Sequence, residues 1–115
     1  MSPHDTPLVW LHGELKSPPL SKKARLLCGF LLRGLQQGHR LSMPDSRPMP
    51  SIGARCHELR VPDGPRDWRI VYRIDDDAIV IADVFAKTSQ KTPKQVIATC
   101  RAPFALYDRT TKAST

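Results

Sequence analysis

The sequence predicts an α+β domain, a small antiparallel β-sheet flanked by an N-terminal helix and a short C-terminal helix. Three observations carry this expectation. Apolar residues between positions 22 and 37 recur at helical spacing. Three stretches between 56 and 85 instead alternate or run continuously apolar, with turn residues between them. Thr92-Pro93-Lys94-Gln95 then has the pattern of a helix start. At 115 residues the chain is one domain, able to bury roughly two-thirds of its unfolded surface, with residues 1–20 and 110–115 peripheral.

Leu8-Val9-Trp10-Leu11 is an edge-strand candidate; Gly13 and Pro18-Pro19 interrupt the chain after it. From Lys22 to Gln37 a helix is predicted, with Ser21 as N-cap and Gly38 as its stop. Ala24, Leu27, Cys28, Leu31 and Leu35 form its buried face, and Leu26 and Phe30 widen it. Two features of this helix are locally unfavourable. Gly29 and Gly34 each cost about 1 kcal/mol against Ala. Lys22 and Lys23 sit at the end of the helix dipole that repels cations.

Pro44, Pro48 and Pro50 make 39–54 an ordered connection, neither a long helix nor a central strand, that brings Arg40, Arg47 and Arg55 near the sheet. In the strand from Cys56 to Val61, Cys56, Glu58 and Arg60 share one face and His57, Leu59 and Val61 the other. Pro62-Asp63-Gly64-Pro65 turns the chain. Trp68, Ile70, Tyr72 and Ile74 share a face of the next strand, opposite Arg69, Val71 and Arg73. Asp75-Asp76-Asp77 turns again into 78–85, which is apolar enough to be covered on both faces. Packing the apolar faces on the helix leaves Glu58, Arg60, Arg69 and Arg73 on an open side. In the last helix Thr92 is the N-cap, Pro93 the first position and Gln95 the N3 residue of a capping box; Val96, Ile97 and Cys100 face the core. Pro103 is expected to end or kink it, with 104–107 a packed turn.

The net charge of +7 is unevenly placed. Residues 1–55 carry eight Lys/Arg against three Asp/Glu, residues 56–86 four against seven, and residues 87–115 six against one. Basic flanks around strand-borne arginines suit a nucleic acid or an acidic protein partner. The odd, widely spaced Cys28, Cys56 and Cys100 fit buried free thiols in a reducing cytoplasm. The four histidines share no metal-ligand spacing, so neither a metal nor any other cofactor is expected. With no leader pattern and no apolar run of spanning length, a soluble cytoplasmic protein is expected.

Phe85-Ala86-Lys87-Thr88-Ser89-Gln90-Lys91-Thr92-Pro93 joins a strand end to a helix start. Unpaired amides at a helix N-terminus attract anions, and Lys87 and Lys91 add charge, so a phosphate fits there; a merely solvated connection fits equally well. Together with Glu58-Leu59-Arg60 and Trp68-Arg69-Ile70-Val71-Tyr72, this run resembles the RelE/HigB toxins of type II toxin–antitoxin systems, most closely their phage-derived HigB-like branch. The resemblance spans about Leu20 to Arg109. It implies a RelE-like sheet and a metal-independent messenger-RNA endoribonuclease that acts on the ribosome to stop translation. It also implies an antitoxin partner, a small helix-turn-helix protein. By position Arg60, Arg69 and Lys87 match the basic active-site positions, and Thr88 and Lys91 fall in the C-terminal basic motif. Where RelE proper carries lysines on its first strand, this chain has Cys56 and Glu58, and one N-terminal helix stands for two.

Metal-free RNA cleavage uses the neighbouring 2′-hydroxyl as nucleophile. It needs a base, a cation for the phosphorane and an acid for the leaving 5′-oxygen. Arginine stays charged, its pKa above ~12, so Arg60 and Arg69 are candidates for phosphate and transition-state stabilisation. Lys87 could serve as base only if its pKa fell from ~10.4 towards ~7. Glu58 is the other candidate base, and more simply a salt-bridge partner for an arginine. Arg73, Thr88, Lys91 and Tyr107 are candidate RNA contacts, with Tyr107 near the active edge or else packing the chain terminus. His57 is expected in the core. The alternative function on the same fold is a non-catalytic ParE-like toxin that binds DNA gyrase.

Overall fold

A computed structural model describes residues 5–11, 20–87 and 93–113. Five strands form one sheet: β1 (Leu8–Trp10), β2 (Ser46–Pro48), β3 (Cys56–Asp63), β4 (Arg66–Ile74) and β5 (Ile79–Lys87). Their order is β1-β5-β4-β3-β2. The expected antiparallel meander β3-β4-β5 is present, and β2 extends it as an antiparallel edge strand. The sheet is nevertheless mixed, because β1 runs parallel to β5 on the opposite edge. Helices α1 (Lys22–Gln36) and α2 (Pro93–Ala113) cover opposite faces, giving an α+β fold of three layers.

The ends of α1 form as their sequence dictates. Ser21 accepts a hydrogen bond from the Ala24 amide at 3.1 Å. Gly38, at φ 93°, donates to Leu35 O at 3.0 Å, and His39 donates to Gly34 O at 2.9 Å. This is a Schellman ending, which needs the left-handed residue that glycine supplies. Ala24, Cys28, Leu31, Leu32 and Leu35 are buried against Leu59, Val61, Ile70, Tyr72 and Ile81. Leu26 and Phe30 correct the expectation: they are 66% and 75% exposed, because they project from the side of α1 opposite the sheet. Leu32 occupies the widened part of the buried stripe instead.

The β3–β4 hairpin is tighter than expected. Asp63 pairs with Arg66, leaving Gly64-Pro65 as the connection, with Gly64 at φ 61°. Asp63 Oδ2 accepts from the Ser21 amide and from Trp68 Nε1, both at 3.0 Å, and so pins the hairpin to the start of α1. Those bonds, from Ser21 first and then Trp68, hold the Asp63 carboxyl below its ordinary pKa.

On the other face α2 sets Val96, Cys100 and Phe104 against Ile52, Cys56, Val71, Ala78, Val80 and Ala82. The helix is not short. It runs 21 residues and passes through Pro103. A proline costs one amide bond, but the second half is tied to the sheet by buried Phe104 and by Asp108, which pairs with Arg73 at 2.7 Å. Thr92, the expected N-cap, lies outside the described residues. All three cysteines are free and buried; burial pushes the Cys28 thiol up to about 12.

A bulge in β5 decides which residues reach the second face. Val71 pairs with Asp83 and Tyr72 with Ile81, so β5 carries one extra residue there. Asp83 Oδ1 accepts from the Val84 amide at 2.9 Å. Past this point the alternation changes phase. Ile79, Ile81, Val84 and Ala86 face α1, while Val80, Ala82 and Phe85 face the α2 side.

Candidate functional site

α2 covers only part of its sheet face. Beyond its first turns lies a strip formed by β2, β3, β4 and the end of β5. Register places Arg47 opposite Glu58, Arg60 opposite Arg69, and Arg69 opposite Phe85. Directly opposed residues in an antiparallel pair project from the same face, so one side carries Arg47, Glu58, Arg60, Arg69 and Phe85. Lys87 follows two residues after Phe85 and pairs with Asp67.

Arg69 is central to this strip and corrects the expectation of an open arginine: it is 4% exposed. Its Nε lies 3.3 Å from Glu58 Oε1 without the alignment of a hydrogen bond, and it is a buried polar atom left unsatisfied. Asp67 is more distant, 4.0 Å from Arg69 Nη2. Burial, and then the neighbouring Arg60 charge, pull the Arg69 guanidinium below its ordinary pKa against the opposing effects of Glu58 and Asp67. Two like charges directly across a strand pair are destabilising. Arg60, half-buried, gains only a contact from Nη1 to Met43 Sδ at 3.8 Å, and no carboxylate among the described residues neutralises it. Glu58 therefore takes the salt-bridge role that sequence chemistry allowed, in a geometry that leaves guanidinium hydrogens available.

Beside this cluster is a cleft of about 330 Å³. Arg47, Glu58 and Lys87 supply its charged groups. Met49, Phe85, Val96 and Ile97 supply apolar wall. Lys87 is exposed. A shallower recess of about 200 Å³ holds Arg60 and Arg69 with Asp45 and Asp67. The four residues expected to do chemistry thus lie together on one strip, divided between adjoining recesses. The arrangement can hold an oxyanion between guanidinium groups and receive a flat apolar group against Phe85.

Two expected RNA contacts lie elsewhere. Arg73 is 7% exposed, four residues from Arg69 along β4, or about 13 Å at ~3.3 Å per residue. Its Nε and Nη2 donate to Asp75, each at 2.8 Å, and Nη1 and Nη2 donate to Asp108 at 3.0 and 2.7 Å. Its guanidinium lies 4.9 Å from the Phe104 ring centre and 6.0 Å from that of Tyr107. Burial opposes the charge, and the hydrogen bonds it donates to Asp75 and Asp108 more than reverse that, raising its pKa above the ordinary value. Arg73 is a clamp between sheet and helix, and Tyr107 packs on that clamp at the end of the sheet away from Lys87. Both are corrections with one cause: α2 continues past Pro103 and covers this part of the face. Thr88 and Lys91 lie outside the described residues. His57 stacks on Tyr72 with ring centres 5.3 Å apart, on the α1 side as expected.

Sequence reasoning missed Arg47 and Phe85 as site residues. A three-residue strand within a proline-rich connection leaves almost no periodic signal for Arg47. The signal for Phe85 would have been the Asp83 bulge, hidden in a continuous apolar run. No His, Cys, Asp or Glu cluster among the described residues could hold a metal ion. No helix among them is long and apolar enough to cross a membrane.

No curated protein matches the chain. A family model does, that of the phage-derived Gp49-like proteins, a family within the toxin-like RelE superfamily, and the match runs over residues 15–104. That interval takes in α1, every strand but β1, the basic strip and most of the buried part of α2. With so much of the sequence matched, the chain belongs to the phage-derived Gp49-like protein family.

Proposed function

We propose that the chain is the toxin of a two-protein toxin–antitoxin pair and that it cleaves messenger RNA on the ribosome, without a metal. The observation that carries this reading is the Arg60–Arg69 pair: two arginines in register on adjacent strands and lining one recess, one of them buried with an unsatisfied Nε. Such a pair is electrostatically strained when empty and relieved by a phosphate.

Arg60 and Arg69 hold the non-bridging oxygens of the scissile phosphate. The 2′-hydroxyl gives its proton to Glu58 as its oxygen bonds to phosphorus. The bond from phosphorus to the 5′-oxygen then breaks, and Lys87 supplies the proton that the leaving oxygen takes. The products are a 2′,3′-cyclic phosphate and a 5′-hydroxyl. Arg47 attracts the adjoining backbone, and an unstacked base rests against Phe85. The ribosome supplies the in-line geometry; positioning of this kind contributes about 7–11 kcal/mol.

The test is to induce the chain alone and follow labelled precursors into protein and DNA, with end-mapping of a reporter messenger. Protein synthesis should stop first, with cuts ending in cyclic phosphate on translated messages only. An early stop in DNA synthesis while translation continues would sink this reading and favour gyrase as the target.

A further inference from the structure

We infer that the solvent face of α1 is the docking surface for an acidic, amphipathic helix of a partner protein, which on the toxin–antitoxin reading above is the antitoxin. Three locally costly features meet on this one face, and the fold of the chain uses none of them. Leu26 and Phe30 stand one helical turn apart, 66% and 75% exposed, and lie on the side turned away from the sheet. Between their turns is Gly29, inside a helix and exposed, where an added Cβ would meet nothing within 4 Å. No neighbour in the chain needs that space. A glycine beside two large apolar side chains lets a second helix backbone approach closely.

The third feature is charge. α1 contains Lys22, Lys23, Arg25 and Arg33 and no acidic residue at all. Arg33 pairs with Asp5. Lys22, Lys23 and Arg25 have no ion-pair partner among the described residues, and both lysines stand at the dipole's positive end. An apolar ridge on a cationic helix is complementary to an apolar ridge flanked by carboxylates. A second copy of this chain would set cation against cation. The face is separate from the Arg60–Arg69 strip, which lies on the opposite side of the sheet, so docking here leaves the partner's remaining chain free to reach the active surface.

The experiment co-expresses the chain with the open reading frame adjoining its gene, purifies the complex, and compares wild type with Leu26→Ser/Phe30→Ser and with Gly29→Gln. Both variants should fold, since Leu26 and Phe30 are largely exposed and a side chain at Gly29 has open space. Gly29→Gln should raise the melting temperature by a few degrees through helix propensity. Both should arrest growth when expressed alone, as wild type does, yet bind the partner at least tenfold more weakly and escape neutralisation. Amides of α1 should exchange more slowly in the complex than in the free chain. A tight complex that ignores both variants and leaves α1 exchange unchanged overturns the inference and leaves the two-protein reading intact. Failure of any partner to co-purify overturns both. Self-association lost in Leu26→Ser/Phe30→Ser, or binding of the free chain to phosphatidylglycerol vesicles through this face, also overturns it.

Discussion

Arg60 and Arg69 do different jobs although they face each other across two strands. Arg69 is buried and its removal leaves Glu58, whose side chain is 12% exposed, without its partner. Arg69→Ala should therefore lower stability by about 1–3 kcal/mol as well as abolish cleavage. Arg60 is half-buried, has no carboxylate partner among the described residues and repels Arg69. Arg60→Ala should reduce messenger cleavage by about 10²–10³-fold, with a melting temperature equal to wild type or higher. A clear fall in melting temperature would show that the pair is not strained. Lys87→Ala, at an exposed position, should arrest no growth and shift stability by less than about 0.5 kcal/mol. His57 gives a pH test. Burial, and then the Arg40 charge, lower its pKa from 6.5. The unfolded chain takes up that proton near 6.5 and the folded chain only at lower pH. Stability thus falls as pH drops below about 6.5 and levels off under the folded value. His57→Gln should flatten this part of a melting-temperature profile between pH 8 and 5.

Among the elements, α2 departs most from its local sequence. Pro103 is a helix breaker by propensity, yet ten residues of helix follow it. Phe104 is 5% exposed, and the Arg73 clamp holds Asp108 one turn further on. Pro103→Ala should restore one amide bond and raise stability by about 1–2 kcal/mol, below the ~3 kcal/mol of an ideal site, because the surrounding packing already accommodates the proline. Phe104→Ala should cost about 3–5 kcal/mol and release the helix end, read as faster amide exchange from 104 to 113 with slower change nearer 96. The β5 bulge works the same way at smaller scale. One extra residue moves Phe85 and Lys87 to the face that carries Arg69.

For the whole molecule, the charge pattern read along the chain survives folding in altered form. The acidic middle contributes Glu58, Asp75 and, at the tip of the hairpin, Asp63, each of which accepts a hydrogen bond or pairs with an arginine. Basic residues are left to face a ligand: Arg47 from β2 and Lys87 from the end of β5, with Arg60 from β3. Three phosphate contacts would give log affinity for single-stranded RNA a slope near −2 against log salt. Arg47→Ala should reduce that slope by about 0.7 and weaken all sequences equally. An unchanged slope in a filter-binding titration would remove Arg47 from the strand path.

Local, periodic features of the chain account for much of the fold. The span and caps of α1, the three long strands, the hairpin and the buried cysteines all follow from spacing, turn residues and apolarity, which act over a few neighbours. The gathering of Glu58, Arg60 and Arg69 on one strip was also legible, because strand alternation sets which residues share a face; Lys87 joins them only through the β5 bulge. Tertiary structure decided the rest. Burial of Arg73 depends on α2, some thirty residues away in sequence, lying over its end of the face, while Arg69 is buried among Pro44, Asp45 and Pro62 from distant segments. The length of α2 depends on contacts that outweigh a proline's local cost. The inclusion of Arg47 depends on a three-residue edge strand that has no stability apart from β3. In each case the deciding free energy comes from packing between distant segments, and no local window of the sequence contains it.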